Sequence, residues 1–125
     1  MLHEPSDNAN VVFTAKRLAE QIGFTETQQP LIATAASELS TNIIRYAGKG
    51  MLTLRILWNE NREGMEIVAQ DKGPGIANIE KAMRENFSTG NGLGLGLPSV
   101  KRIMDEFEIQ SKSGHGTYIV ARKWK

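Results

Sequence analysis

Glu38-Leu39-Ser40-Thr41-Asn42 lies inside a run from Leu31 to Tyr46 whose apolar residues (Leu31, Ile32, Ala35, Ala36, Leu39, Ile43, Ile44) recur at helical spacing. Glu38 and Asn42 are four apart, so both project from one face of the predicted helix. Taken alone, the pair reads as a polar stripe on an amphipathic helix. Its neighbours change that reading, because a carboxylate among Ala35, Ala36, Leu39 and Ile43 is costly without a partner or a task. The acid can hold a proton acceptor, while the amide offers a neutral oxygen to Mg²⁺ and leaves the ion's other positions to water and phosphate.

Three shorter segments follow in a fixed order. Asp71-Lys72-Gly73-Pro74-Gly75 closes a predicted strand, and its glycines let backbone approach a ligand while the carboxylate can accept the exocyclic amino proton of adenine. Gly92-Leu93-Gly94-Leu95-Gly96 precedes a helix. Its alternating glycines expose successive N–H groups, which suits phosphate. The spacing is not a dinucleotide fingerprint, and no Gly-Lys-Ser/Thr follows to make a Walker loop. Gly116-Thr117 opens the last predicted strand and supplies a polar anchor behind a base. Each segment is weak by itself; together they fit a nucleotide site with an acid beside it.

Outward from these motifs, Asp7 or Asn8 can cap a first helix carrying Val11, Val12, Ala15, Leu18, Ala19 and Ile22, and Gly23 ends it. Thr25 or Thr27 caps the second helix, with Pro30 in its first turn and Gly48 after its end. Met51 to Trp58 reads as a strand with Leu52, Leu54 and Ile56 on one face; Asn59 to Gly64 is a turn, and Met65 to Gln70 returns. A short helix is expected from Asn78 to about Glu85, a loop from Phe87 to Gly96, and a helix opened by Pro98 that runs to about Glu106. Phe107 to Ser111 and Thr117 to Arg122 close the chain as a hairpin through Ser113-Gly114-His115-Gly116. The pattern predicts an α/β two-layer sandwich with helices on one face of a mostly antiparallel mixed sheet.

The 125 residues are expected to form one domain. Fifteen basic against fourteen acidic residues leave a formal net charge of +1, which gives no broad footprint for nucleic acid. The Arg122-Lys123-Trp124-Lys125 end reads as a solvated tail. There is no cysteine, so disulfides and thiolate metal sites are excluded. His3 and His115 have no partner at metal-ligand spacing, and Arg45, Lys49 and Lys72 read as solvated charges near the motifs. No run approaches the roughly 20 apolar residues of a membrane span, and the N-terminus does not read as a signal peptide. A cytoplasmic protein without a membrane partner is the expectation.

The four motifs resemble the N, G1, G2 and final boxes of the GHKL superfamily, shared by gyrase, the Hsp90 chaperones, histidine kinases and MutL. Within it the chain is similar to the anti-sigma-factor type of serine/threonine kinase, on the switch-kinase branch of the bacterial stressosome. That likeness rests on Leu39 to Gly50, Phe87-Ser88-Thr89, Gly92 to Pro98, Val100-Lys101-Arg102, Met104 to Phe107 and Ala121 to Trp124. Tyr46 stands where many sigma-binding members carry His, and the strand expected before the first helix is short or absent.

The resemblance implies a Bergerat ATP-binding fold with Phe87 to Leu95 as the ATP lid. It makes Glu38 the catalytic base and Asn42 the Mg²⁺ ligand. It implies ATP contacts from Asn42, Asp71, Gly73, Gly75, Ile76, Ser88, Thr89, Gly92, Gly94, Leu95, Gly96, Leu97 and Thr117. It further implies transfer of the γ-phosphoryl group to a serine or threonine of STAS-domain partners, followed by release to activate a PP2C-type phosphatase. The alternative is a nucleotide-gated anti-sigma factor or binding switch without obligatory phosphotransfer. A histidine-kinase catalytic domain is disfavoured, since no helix bearing a phosphoacceptor histidine accompanies the motifs in 125 residues. ATPases of the gyrase or MutL kind would need residues from a further domain.

Overall fold

Thr25 decides where the second helix begins. Its hydroxyl accepts from Gln28 N (3.1 Å) while Gln28 Oε1 accepts from Thr25 N (3.0 Å), a reciprocal capping box. Thr27, the other candidate, makes no side-chain cap. In the computed structural model the described residues are 5–75, 96–112 and 114–125. They form α1 (Pro5–Ile22), α2 (Gln28–Asn42), a π-helical turn (Ile43–Ala47), β1 (Gly50–Asn59), β2 (Arg62–Asp71), α3 (Leu97–Ile103), β3 (Glu106–Lys112) and β4 (Gly116–Trp124). The short helix expected from Asn78 and most of the glycine loop lie outside the described residues.

Gly23 ends α1 as its sequence implies. At φ 107° it lets Gly23 N reach Glu20 O (3.1 Å) and Phe24 N reach Ala19 O (3.0 Å), a pairing that satisfies the last carbonyls. Phe24 and Ala19 are both buried in the core, which adds the apolar clasp of that motif. The helix starts at Pro5, ahead of the Asp7 or Asn8 expected to cap it.

The sheet order is β1-β2-β4-β3, with every pairing among the described residues antiparallel, so the mixed character expected from sequence is not seen there. Register follows the alternation of the apolar residues: Leu54, Ile67, Ala121 and Phe107 align across the strands, as do Leu52, Ala69, Ile119 and Ile109. These rows join Ala15, Ala19 and Ile22 of α1, Ile32, Ala36 and Leu39 of α2, and Leu97 and Val100 of α3 in one core. The described helices therefore all cover the same face of the sheet. No described helix is long and apolar enough to cross a membrane.

Two expectations at the C-terminal end are corrected. α3 stops at Ile103 rather than near Glu106, because Met104 turns extended (φ −90°, ψ 152°) to lead into β3. The basic terminus is no solvated tail. β4 continues to Trp124, Lys123 Nζ donates to Ile103 O (2.9 Å), Trp124 N donates to Asp105 Oδ2 (2.7 Å), and Lys125 Nζ reaches Ile22 O at the end of α1 (3.3 Å). A cation against the final carbonyl of a helix is well placed with respect to the helix dipole.

The helix-free face carries a buried acid. Glu66 is held between Arg55 and Arg122, whose Nε donates to Glu66 Oε2 (2.8 Å), and Arg122 also reaches Glu106 (3.2 Å). Burial pushes the Glu66 carboxyl up, but the hydrogen bonds and charges of Arg55 and Arg122 outweigh it and hold the group below the usual carboxylate range.

Candidate functional site

Glycines at four positions decide how the predicted motifs come together. The end of α2 meets the start of β1 at Gly50, where a Cβ would sit 2.6 Å from Ile43 Cγ2 and 2.5 Å from Gln70 O. It meets the segment after β2 at Gly73, where a Cβ would sit 2.6 Å from Ala47 Cβ. Any side chain at either position would push the helix end away from the strand ends. The π turn that carries Ile43 and Ala47 follows Asn42 directly, so the helix widens at the point where it meets both strands.

Glu38 and Asn42 lie one turn apart on α2, each half-buried, with Ala35, Ala36, Leu39 and Ile43 buried around them. The Glu38 carboxylate lies against Gly96, whose missing side chain is the space that Glu38 Oε2 occupies. Gly96 holds φ 69°, ψ 3°, a left-handed conformation that favours glycine, and leads into α3. The acid of the first motif thus abuts the last glycine of the third, although 58 positions separate them in sequence. Among the described residues Glu38 has no ion pair and the Asn42 amide has no hydrogen-bond partner.

Asp71 is oriented by its own loop. Its Oδ1 accepts from Gly73 N (2.9 Å), which leaves the second oxygen as an acceptor. Thr117 is the residue directly opposite Asp71 across β2 and β4. Gly116 (φ 90°) allows this approach, since a Cβ there would overlap Asp71 O. Pro74 O accepts from Gly114 N (2.7 Å), tying the loop after β2 to the β3–β4 turn.

Sequence reasoning missed Ser111. Its hydroxyl bonds Thr117 Oγ1 (2.8 Å) and donates to Gly116 O (3.1 Å), which fixes the Thr117 side chain from behind. The signal available was the short hairpin, which places Ser111 opposite Thr117 once the register is known.

Glu38, Asn42, Asp71, Gly73, Gly96 and Thr117 therefore lie at the junction of α2, the strand ends and the start of α3. Gly75 follows Gly73 and Pro74 in the loop after β2 with φ 77°, a conformation that favours glycine. Leu97 is placed differently, with its side chain wholly buried in the core. Ile76, Ser88, Thr89, Gly92, Gly94 and Leu95 lie outside the described residues. No group of three or more His, Cys, Asp or Glu that could hold a metal occurs among the described residues. The donor set fits an ion such as Mg²⁺ held by one amide oxygen and otherwise by phosphates and water, rather than by a protein cage.

A family model described as a histidine kinase-like ATPase domain matches residues 2–123. The chain is 48% identical over 109 residues to the serine/threonine-protein kinase RsbT of Bacillus subtilis (strain 168), covering 87% of this chain and 82% of that one. It is 35% identical over 99 residues to an anti-sigma F factor of Caldanaerobacter subterraneus subsp. tengcongensis, covering 74% of this chain and 68% of that one. The solved catalytic domain of the histidine kinase ThkA superposes with a TM-score of 0.57, covering 93% of this chain and 88% of that chain at 14% identity, a likeness of fold.

Proposed function

This chain belongs to the histidine kinase-like ATPase domain family, and we propose that it is an ATP-dependent serine/threonine protein kinase acting on STAS-domain partners in a partner-switching pathway. The observation that carries the reading is the Glu38 carboxylate, set against Gly96 at the end of the phosphate-type loop and one turn from Asn42. A pure binding switch has little use for an acid there.

In this proposal Asp71 accepts the adenine amino proton, and Thr117, held by Ser111, lies behind the base. The glycine loop ending at Gly96 surrounds the phosphates. Asn42 is the residue that would hold Mg²⁺, whose charge would neutralise phosphate oxygens. Glu38 takes the proton from the acceptor hydroxyl as it attacks, and the remaining work of phosphoryl transfer is positioning. The phosphorylated partner carries about −1.5 to −2 added charges. Repulsion from ADP would then weaken the complex and release the kinase to activate a PP2C-type phosphatase. A cytoplasmic location without a nucleic-acid or membrane partner belongs to the same proposal.

The test is phosphotransfer from γ-labelled ATP to a purified STAS-domain protein, with the acceptor mapped by mass spectrometry. Glu38→Gln should keep ATP affinity and lose transfer by about 10²–10⁴-fold, the usual contribution of a general base. Undiminished labelling by that variant excludes the role. A nucleotide-gated anti-sigma factor is the second reading, favoured by the likeness to anti-sigma F factors. It predicts ATP-dependent partner binding with no labelled product.

A further inference from the structure

The alternation that turns Asp71 and Thr117 toward the helices turns their strand neighbours the other way. Met51, Gln70, Tyr118 and Gln110 pair directly across all four strands and form one row on the helix-free face. This row floors a cleft of about 810 Å³ at the end of the sheet, with Lys49, Lys72 and His115 also lining it. Met51 is 50% exposed and Tyr118 40%, and both glutamines are exposed as well. Among the described residues Lys49, Lys72 and His115 make no ion pair, and the one acid lining the cleft is Asp71. Asp71 already accepts from Gly73 N. Glu108 lies on the next row, opposite Val120, and does not line the cleft.

From this arrangement we infer that the cleft takes an acidic peptide segment of a protein partner, and that its occupancy is coupled to the nucleotide. The volume is that of an ordinary ligand site. The two glutamine amides match the N–H and C=O groups of a peptide backbone. Met51 and the Tyr118 ring offer adaptable apolar contact, and the lysines complement carboxylates. Two lysines and a histidine on a chain of net charge +1 fall short of a nucleic-acid footprint.

Coupling follows from a shared wall. Asp71, Gly116 and Thr117 line the cleft and also belong to the site on the helix side. Gly116 brings β4 so close to Asp71 and Lys72 that a Cβ would sit 2.8 Å from Lys72 Cα. A partner that pulls on Lys72 or the His115 turn therefore moves the residues proposed to hold adenine. Only this coupling rests on the proposed function; the peptide site itself does not.

The experiment is an amide NMR titration of the full ¹⁵N-labelled chain with an eight-residue peptide of Asp, Glu and Leu. A Lys/Leu peptide and a 12-nucleotide single-stranded DNA serve as competitors in class. The acidic peptide should shift residues 49–51, 70–72, 110 and 115–118 together. Lys49→Glu with Lys72→Glu should weaken it by about tenfold, and Lys72→Gln alone by less, with each variant's own spectrum reporting its fold. ATP should change the peptide affinity by about threefold or more, and the peptide should change ATP affinity by the same factor. Absence of a clustered response, equal response to the basic peptide, or a response to the DNA instead overturns the peptide site. Peptide affinity indifferent to ATP, where ATP binds, overturns the coupling. Failure of ATP to bind the wild type overturns the kinase reading and the coupling, while the clustered response to peptide still decides the site.

Discussion

Glu38 and Asp71 are two acids with opposite surroundings. Glu38 lies against a glycine with no hydrogen-bond donor placed for it among the described residues, whereas Asp71 is pinned by Gly73 N. A pinned carboxylate with one oxygen to spare suits recognition, since it can demand a donor from its ligand. If that donor is the adenine amino group, guanine presents a carbonyl instead, a mismatch worth about 1–3 kcal/mol. ATP should thus bind about tenfold or more tightly than GTP, and Asp71→Asn should narrow the gap, as calorimetry with both nucleotides will show. Ser40, between the two functional positions of α2, is wholly buried, and its hydroxyl has no hydrogen-bond partner. An unpaired buried hydroxyl costs about 1–3 kcal/mol, and alanine is also the better helix former. Ser40→Ala should therefore raise stability by about 1 kcal/mol, read as a higher urea midpoint. A lower midpoint would show that the hydroxyl is bonded in solution.

At the scale of the element, α2 shows how a cap sets the place of a site. Two threonines compete for its start, and only Thr25 forms the reciprocal bonds with Gln28. Gln29 N also reaches Thr25 O (2.9 Å), and Gln29 Nε2 donates to Phe24 O (2.9 Å), so the whole first turn is tied to the end of the α1–α2 link. Thr25→Ala should cost about 1 kcal/mol of unfolding free energy, while Thr27→Ala should cost a few tenths at most. Equal losses in denaturant titrations would contradict this cap. At its other end the apolar spacing predicts α2 continuous to Tyr46, yet the helix opens into a π turn after Asn42. Helical periodicity continues through Ile43 and Ile44, so the sequence carries no sign of the wider turn. It arises where Ile43 and Ala47 must meet Gly50 and Gly73.

At the scale of the molecule, the helix-free face is held by the ion network Arg55–Glu66–Arg122–Glu106, with Trp124 Nε1 donating to Glu106 Oε2 (2.5 Å) and Arg62 stacked over the Trp124 ring at 4.9 Å. It joins β1, β2, β4 and β3 in one line. Because the folded Glu66 carboxyl is held below its ordinary value, the folded state binds its proton less readily than the unfolded chain does. Its contribution is complete above the unfolded value of about 4.3 and is lost as pH falls through the lower folded value. Wild-type stability should fall below about pH 4.5, and Glu66→Gln should flatten that part of the profile, measured as urea midpoints from pH 7 to pH 2.5. Parallel profiles would mean that Glu66 does not report the folded state. At pH 7 the variant should be less stable, because both arginines lose a charged partner.

Local structure is written in the order of the residues. Ala15, Ala19 and Ile22, or Leu52 and Leu54, state their helix or strand by period, because a repeat of 3.6 or 2 is the condition for burying one face. The order of the four motifs was legible for the same reason, since glycines and acids at fixed spacing carry their own chemistry. Which distant atoms meet is set by the folding of the whole chain. Glu38 finds Gly96, Lys125 finds Ile22 at a separation of 103 residues, and Glu66 finds Arg122 at a separation of 56. No period encodes such pairs. They follow from strand order, from register, and from glycines whose missing side chains let two backbones approach.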